Sequence, residues 1–84
     1  MNIEPTLCNA IRDTLASCGS RPLLPSALLV YARPQVIFPV LLGDIQGHLL
    51  HLEERGEVQR HANRDNAEIL SWSLTEAGRA RTRP

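Results

Sequence analysis

The run Leu49-Leu50-His51-Leu52-Glu53-Glu54-Arg55-Gly56-Glu57-Val58-Gln59-Arg60 changes its period partway through, and the fold turns on that change. Leading into it, Leu42, Ile45, Leu49 and Leu52 recur at spacings of three, four and three, which is one face of an amphipathic helix. Gly56 supplies a stop, and the residues after it read as a short strand. Pro39 suits the first turn of a helix, so a helix is predicted from Pro39 to Gly56 with Asp44, Gly47, His48, His51 and Arg55 on its outward side. Gly43 and Gly47 each cost about 1 kcal/mol relative to Ala within a helix. They predict either a close approach or an irregular first turn.

Two helices are predicted upstream. Leu7, Ile11, Leu15 and Cys18 form a stripe at spacings of four, four and three, with Pro5 in the first turn and Gly19 as a stop, giving a helix over Glu4 to Ala16. Ser20 to Pro25 holds two prolines and leaves room only for a short extended piece. Ala27 to Ala32 is a second, short and very apolar helix. Arg33, which precedes Pro34, is expected to leave helical geometry and begin a connector reaching Phe38.

Downstream, Glu57 to His61 and Glu68 to Leu74 are short apolar segments separated by Ala62-Asn63-Arg64-Asp65-Asn66-Ala67, whose Asn and Asp supply turn chemistry. The result is a hairpin. In its second arm Leu70, Trp72 and Leu74 share one face, so Trp72 is expected to close the core. Thr75 can cap a short last helix beginning Glu76-Ala77, before Gly78 and an arginine-rich tail. The fold class is mainly α with a small β-hairpin (α+β), in one domain spanning 1–84, with an ordered core of about 4–78 and a frayed tail over 79–84.

At 84 residues the chain can bury one core but not a deep cleft beside it, which favours binding over catalysis. One Trp, one Tyr and one Phe make that core aliphatic. The longest apolar run, Val36 to Leu42, is interrupted by Pro39 and is too short to span a bilayer, and the first residues lack a basic start followed by an apolar stretch. Cys8 and Cys18, ten residues apart on or just beyond one helix, are too far apart for a disulfide and read as reduced thiols. A cytoplasmic protein is expected.

The formal net charge is zero, but it is unevenly spread. Residues 43–57 carry Asp44, Glu53, Glu54 and Glu57 against Arg55, a net −3, whereas residues 58–84 carry a net +2. All nine basic residues are Arg, suited to bidentate contacts with phosphate or guanine, although no strong overall field would draw DNA in.

Helix, helix, helix, hairpin and short helix, in that order, resemble the winged helix-turn-helix superfamily of bacterial regulators. Leu49 to Arg60 is similar to the family's recognition-helix exit. Trp72-Ser73-Leu74-Thr75-Glu76-Ala77-Gly78-Arg79 is similar to the segment that ends the wing. The resemblance covers the C-terminal half by motif and the first half by element order. Stand-alone domains of this kind also occur in bacteriophage and prophage gene sets.

The resemblance implies a three-helix core, a two-stranded wing, and a transcriptional regulator or accessory factor that binds double-stranded DNA, as a dimer because one such domain offers limited specific contact. It places Gln46, Gly47, His48 and His51 on the outward face of the recognition helix, with Gln46, His48 and His51 as base contacts. It places Arg60, Asn63 and Arg64 on the wing and, with Arg79 of the tail, beside the DNA backbone. Asp44, two glycines and two histidines are unusual on a reading face. Neutral charge and the acidic Glu53/Glu54/Glu57 cluster point instead to a protein-protein adaptor on the same scaffold. The apolar second helix and Val36 to Leu42 offer such an adaptor, or a homodimer, its seam. His48, His51 and His61 lack the further ligands of a zinc site, and the Asp44/His48 pair has no nucleophile nearby, so no metal, cofactor or catalytic residue is expected.

Overall fold

The computed structural model describes residues 2–82. Helix α1 spans Pro5–Ser17 and α2 Pro25–Ala32, followed by a 3-10 turn over Arg33–Gln35. Helix α3 spans Leu42–Glu54, strands β1 and β2 span Val58–Ala62 and Leu70–Leu74, and α4 spans Glu76–Thr82. The order is the expected one, and the class is α+β.

Leu7, Ile11 and Leu15 of α1 are buried against Leu28 of α2 and Ile45, Leu49 and Leu52 of α3, an aliphatic core that Trp72 and Leu74 close from the hairpin. Gly19 (φ 66°) and Gly56 (φ 75°) end α1 and α3 in the left-handed region, where a side chain would be strained. Leu23 is the short extended piece between the first two helices. Its N–H and C=O both pair with Trp72, at 2.8 Å each way, adding one bridge to the outer edge of the hairpin. The hairpin is antiparallel, with Val58 opposite Leu74 and Arg60 opposite Trp72.

Several boundaries differ from the sequence reading. The third helix starts at Leu42, not Pro39, because the Asp44 carboxylate accepts the Leu41 N–H at 2.9 Å and so caps the helix three residues later. The approach to it stays extended at Leu41, and Val40 is buried in the core. The second helix starts two residues earlier than Ala27, with Pro25 in its first turn. Arg33 keeps helical angles despite Pro34, since the chain tightens into the 3-10 turn closed by Val36 N–H on Arg33 C=O. Helix α4 runs through Gly78 to Thr82, so residues 79–82 of the expected frayed tail are helical; 83–84 lie outside the described residues.

The glycine expectation also shifts. Around Gly43 nothing approaches, whereas a Cβ on Gly78 would lie 2.1 Å from the Glu57 carbonyl oxygen. That close approach at Gly78 lets α4 pass over the bend that follows α3. Thr75 holds the same junction: its hydroxyl donates to Gly56 C=O at 2.6 Å and accepts the Gly78 N–H at 3.1 Å, the cap expected of it. Both cysteines are free thiols, and burial pushes the Cys8 thiol above its ordinary range. Among the described residues no helix is long and apolar enough to cross a membrane.

Candidate nucleic-acid interface

Three elements converge on one face. The start of α2 (Leu24, Pro25, Ser26), the outward side of α3 (Leu42, Gln46, Leu50) and the outer part of the wing (Glu68, Ile69, Leu70) line a common groove, with Trp72 behind it. A helix packed by one stripe must present the other. Because Ile45, Leu49 and Leu52 face the core, Leu42, Gln46 and Leu50 at four-residue intervals face out.

The sequence-predicted contacts fare differently. Gln46 is exposed on α3, and His51 is half-buried one turn further on. His48 is not on the outward face. It is 2% exposed, its Nδ1 lies 2.6 Å from the Asp44 carbonyl oxygen, and its Nε2 accepts the Glu4 N–H at 3.0 Å. With a carbonyl on one ring nitrogen and an N–H on the other, the ring is fully engaged as neutral imidazole protonated at Nδ1. Its work is to tie the first turn of α1 to α3. The expected base contact at His48 is therefore corrected: the helical stripe Ile45-His48-Leu49-Leu52 includes it, and both ring nitrogens find backbone partners there.

On the wing, Arg60 reaches back to α3. Its Nε and Nη2 donate to the two carboxylate oxygens of Glu53 at 2.7 and 2.6 Å, and its guanidinium lies 5.3 Å from the Trp72 ring centroid. The Arg60 hydrogen bond, with a further contribution from its charge, holds the Glu53 carboxyl below the usual range despite the opposing effect of burial. Asn63 is occupied in shaping the turn, its Oδ1 accepting the N–H groups of Asp65 and Asn66 at 2.8 and 3.2 Å. Arg64, next to it, is exposed and makes no ion pair among the described residues. Arg79 is on α4, where its guanidinium donates to the Gly19 carbonyl oxygen. His61 Nε2 lies 2.7 Å from the Ser73 hydroxyl oxygen. Among the described residues no three acidic, histidine or cysteine side chains come together as metal ligands would.

Of the expected contact set, the structure leaves Gln46 and Arg64 exposed, half-buries His51, and holds Arg60, Asn63 and Arg79 in internal hydrogen bonds. The sequence reading missed Leu24, Leu50 and Ile69, exposed apolar residues on or beside the outward face of α3, and set Leu42 in the core stripe although it is 40% exposed. A signal was present: Leu41-Leu42 and Leu49-Leu50 are adjacent pairs, and neighbours some 100° apart on a helix cannot all face one core.

The sequence matches no protein-family model and no curated protein. Its structure is similar to several solved ones. A probable transcriptional regulator from Pseudomonas aeruginosa aligns at TM-score 0.70 and 29% identity, over 95% of this chain and 54% of that one. A MarR-family regulator from Silicibacter pomeroyi aligns at 0.73 and 23%, over 92% and 46%. Streptococcus pneumoniae FabT, solved in complex with DNA, aligns at 0.70 and 20%, over 96% and 50%. The chain spans about half the length of these proteins. With α2 and α3 as its helix-turn-helix and β1–β2 as its wing, this chain has the winged helix-turn-helix fold.

Proposed function

We propose that the chain is a non-catalytic DNA-binding module, a transcriptional regulator or accessory factor acting in the cytoplasm. It sets α3 into the major groove and the wing along the backbone. The observation that carries this reading is the convergence of the start of α2, the outward side of α3 and the wing on one face, with Gln46 exposed on the helix and Arg64 on the wing turn. Gln46 and His51 are the base contacts in this reading, and Arg64 the phosphate contact. Likeness to FabT, a fold neighbour solved with DNA, supports DNA as the partner. The free thiols fit a reducing compartment. Val30, Tyr31, Ile37 and Leu41, all exposed on α2 and in the stretch leading into α3, support a dimer through that side.

Fluorescence anisotropy against random duplex DNA at rising salt tests the reading. Phosphate-driven affinity falls with a log-log slope of about −0.9 per phosphate contacted. A steep slope, lowered in Arg64→Ala, is the expected result; no binding at high micromolar protein and low salt would overturn it.

A further inference from the structure

The face that α3 shares with the wing carries an apolar groove. Leu24, Leu42, Leu50 and Ile69 are 44, 40, 50 and 42% exposed, and they line one groove of about 490 Å³ backed by Trp72. Single exposed leucines are ordinary; four from three elements meeting in one concavity mark an interaction surface. The charged group lining this groove is Glu68, which makes no ion pair among the described residues. One turn beyond Leu50, Glu53 is already neutralised by Arg60, while Glu54 is exposed. Among the described residues no basic side chain lines the groove.

We propose that this groove takes an amphipathic helix of a partner protein, apolar on the side that enters and basic along the edge that passes Glu68. Leu42 and Leu50 are eight residue steps apart along α3, about 12 Å, which matches about two turns of a partner helix presenting side chains at i, i+3 or i+4, and i+7. A helix carries its own polar back and satisfies its own backbone hydrogen bonds, so it suits a groove open along one side better than a small ligand left half in water. The carboxylates set the charge of the partner: Glu68 and Glu54 attract a basic edge and repel an acidic one. The seated helix covers Gln46, so helix and DNA exclude one another. This inference stands independently of the DNA reading.

Trp72 is the sole tryptophan and lines the groove, so its fluorescence reports occupancy. The probes are a helical peptide of about 18 residues built from leucine and lysine, with leucines at the anchor spacing, and its leucine/glutamate counterpart. The full chain should bind the lysine peptide saturably. Leu50→Gln should weaken it about tenfold, the effect of losing one buried leucine contact. Glu68→Lys should abolish the preference for lysine over glutamate. Both positions are exposed, and unchanged thermal melts would show that the variants fold. Absence of saturable binding, or binding indifferent to Leu50→Gln, overturns the proposal. So does a concentration-dependent dimer in sedimentation that Leu50→Gln disperses, since the occupant is then a second copy. A Trp72 response to duplex DNA but not to the peptide overturns it as well.

Discussion

The Arg12 guanidinium of α1 meets the Glu57 carboxylate, at the bend between α3 and the wing, at 2.6 Å, with both side chains almost entirely out of water. Glu57 offers its other oxygen to Arg55 Nε at 2.9 Å, and Arg12 donates its second terminal nitrogen to Asn9 at 2.5 Å. The bend from which the wing departs is thus fastened to the first helix by a buried, fully satisfied ion pair, which sets the angle between α3 and the hairpin. The two partners are not equivalent. Removing Glu57 strands a buried guanidinium, whereas removing Arg12 leaves Glu57 still paired with Arg55. Glu57→Gln should cost about 3 kcal/mol, and Arg12→Met about 1 to 2 kcal/mol, in urea unfolding. Equal losses would mean that Arg55 contributes nothing at this junction.

The same groups set an acid limit. Burial pushes the Glu57 carboxyl upward, but hydrogen bonds and charge from Arg55 and Arg12 outweigh it and leave it below its ordinary value of 4.5. Glu53 is lowered as well, by Arg60. A carboxyl whose value is lower folded than unfolded stabilises the fold fully above the unfolded value, and that stabilisation is lost as pH falls through the folded one. The urea midpoint should therefore be level with respect to these groups down to about pH 5 and fall below it. In Glu57→Gln the fall should be shallower. An identical acid slope in the two proteins would show that the pair does not titrate as its geometry requires.

Gly78 and Gly43 should respond in opposite directions to the same change. A methyl on Gly78 would meet the Glu57 carbonyl oxygen at 2.1 Å and a Leu74 methyl at 2.7 Å, so α4 must move off the bend. Gly78→Ala should cost about 3 kcal/mol, the upper end of ordinary overpacking. Gly43 sits in the first turn of α3 with nothing within 4 Å, and Gly43→Ala should stabilise by about 0.5 kcal/mol. Thermal melts of the two variants, shifted in opposite senses, would check both.

The element order was legible because each element carries its own local signal: the aliphatic stripes at helical spacing, Gly19 and Gly56 at positive φ, and the alternation that sends Trp72 and Leu74 inward. What escaped was set by distant partners. Nothing beside His48 in the sequence announces that its ring nitrogen will accept the N–H of Glu4, 44 residues away. Glu57 reads as part of an acidic surface cluster until Arg12, 45 residues earlier, is brought against it. Arg60 and Arg79 look free in the sequence because Glu53 and the Gly19 carbonyl become their partners only on folding. The apolar groove was hidden for another reason: a helix with leucines on two sides gives its period to the core stripe, and Leu42 passes as the first member of that stripe.

Because Arg60 is held by both oxygens of Glu53, the DNA reading makes a prediction that runs against the usual effect of mutating a candidate interface. Glu53→Gln removes one negative charge from the end of α3 and weakens the clamp on a guanidinium that already lies over Trp72 on the wing. Affinity for random duplex DNA should rise, and the salt slope should steepen by up to about one unit as Arg60 becomes available to a phosphate. Arg64→Ala should lower the slope by about one, whereas Arg79→Ala should leave it unchanged because that guanidinium is engaged with Gly19. The three variants together separate a wing that tracks the backbone from one that does not. If Glu53→Gln and Arg64→Ala both bind with the slope of the unaltered chain, the wing lies away from the duplex and α3 cannot be docked in the major groove beside it.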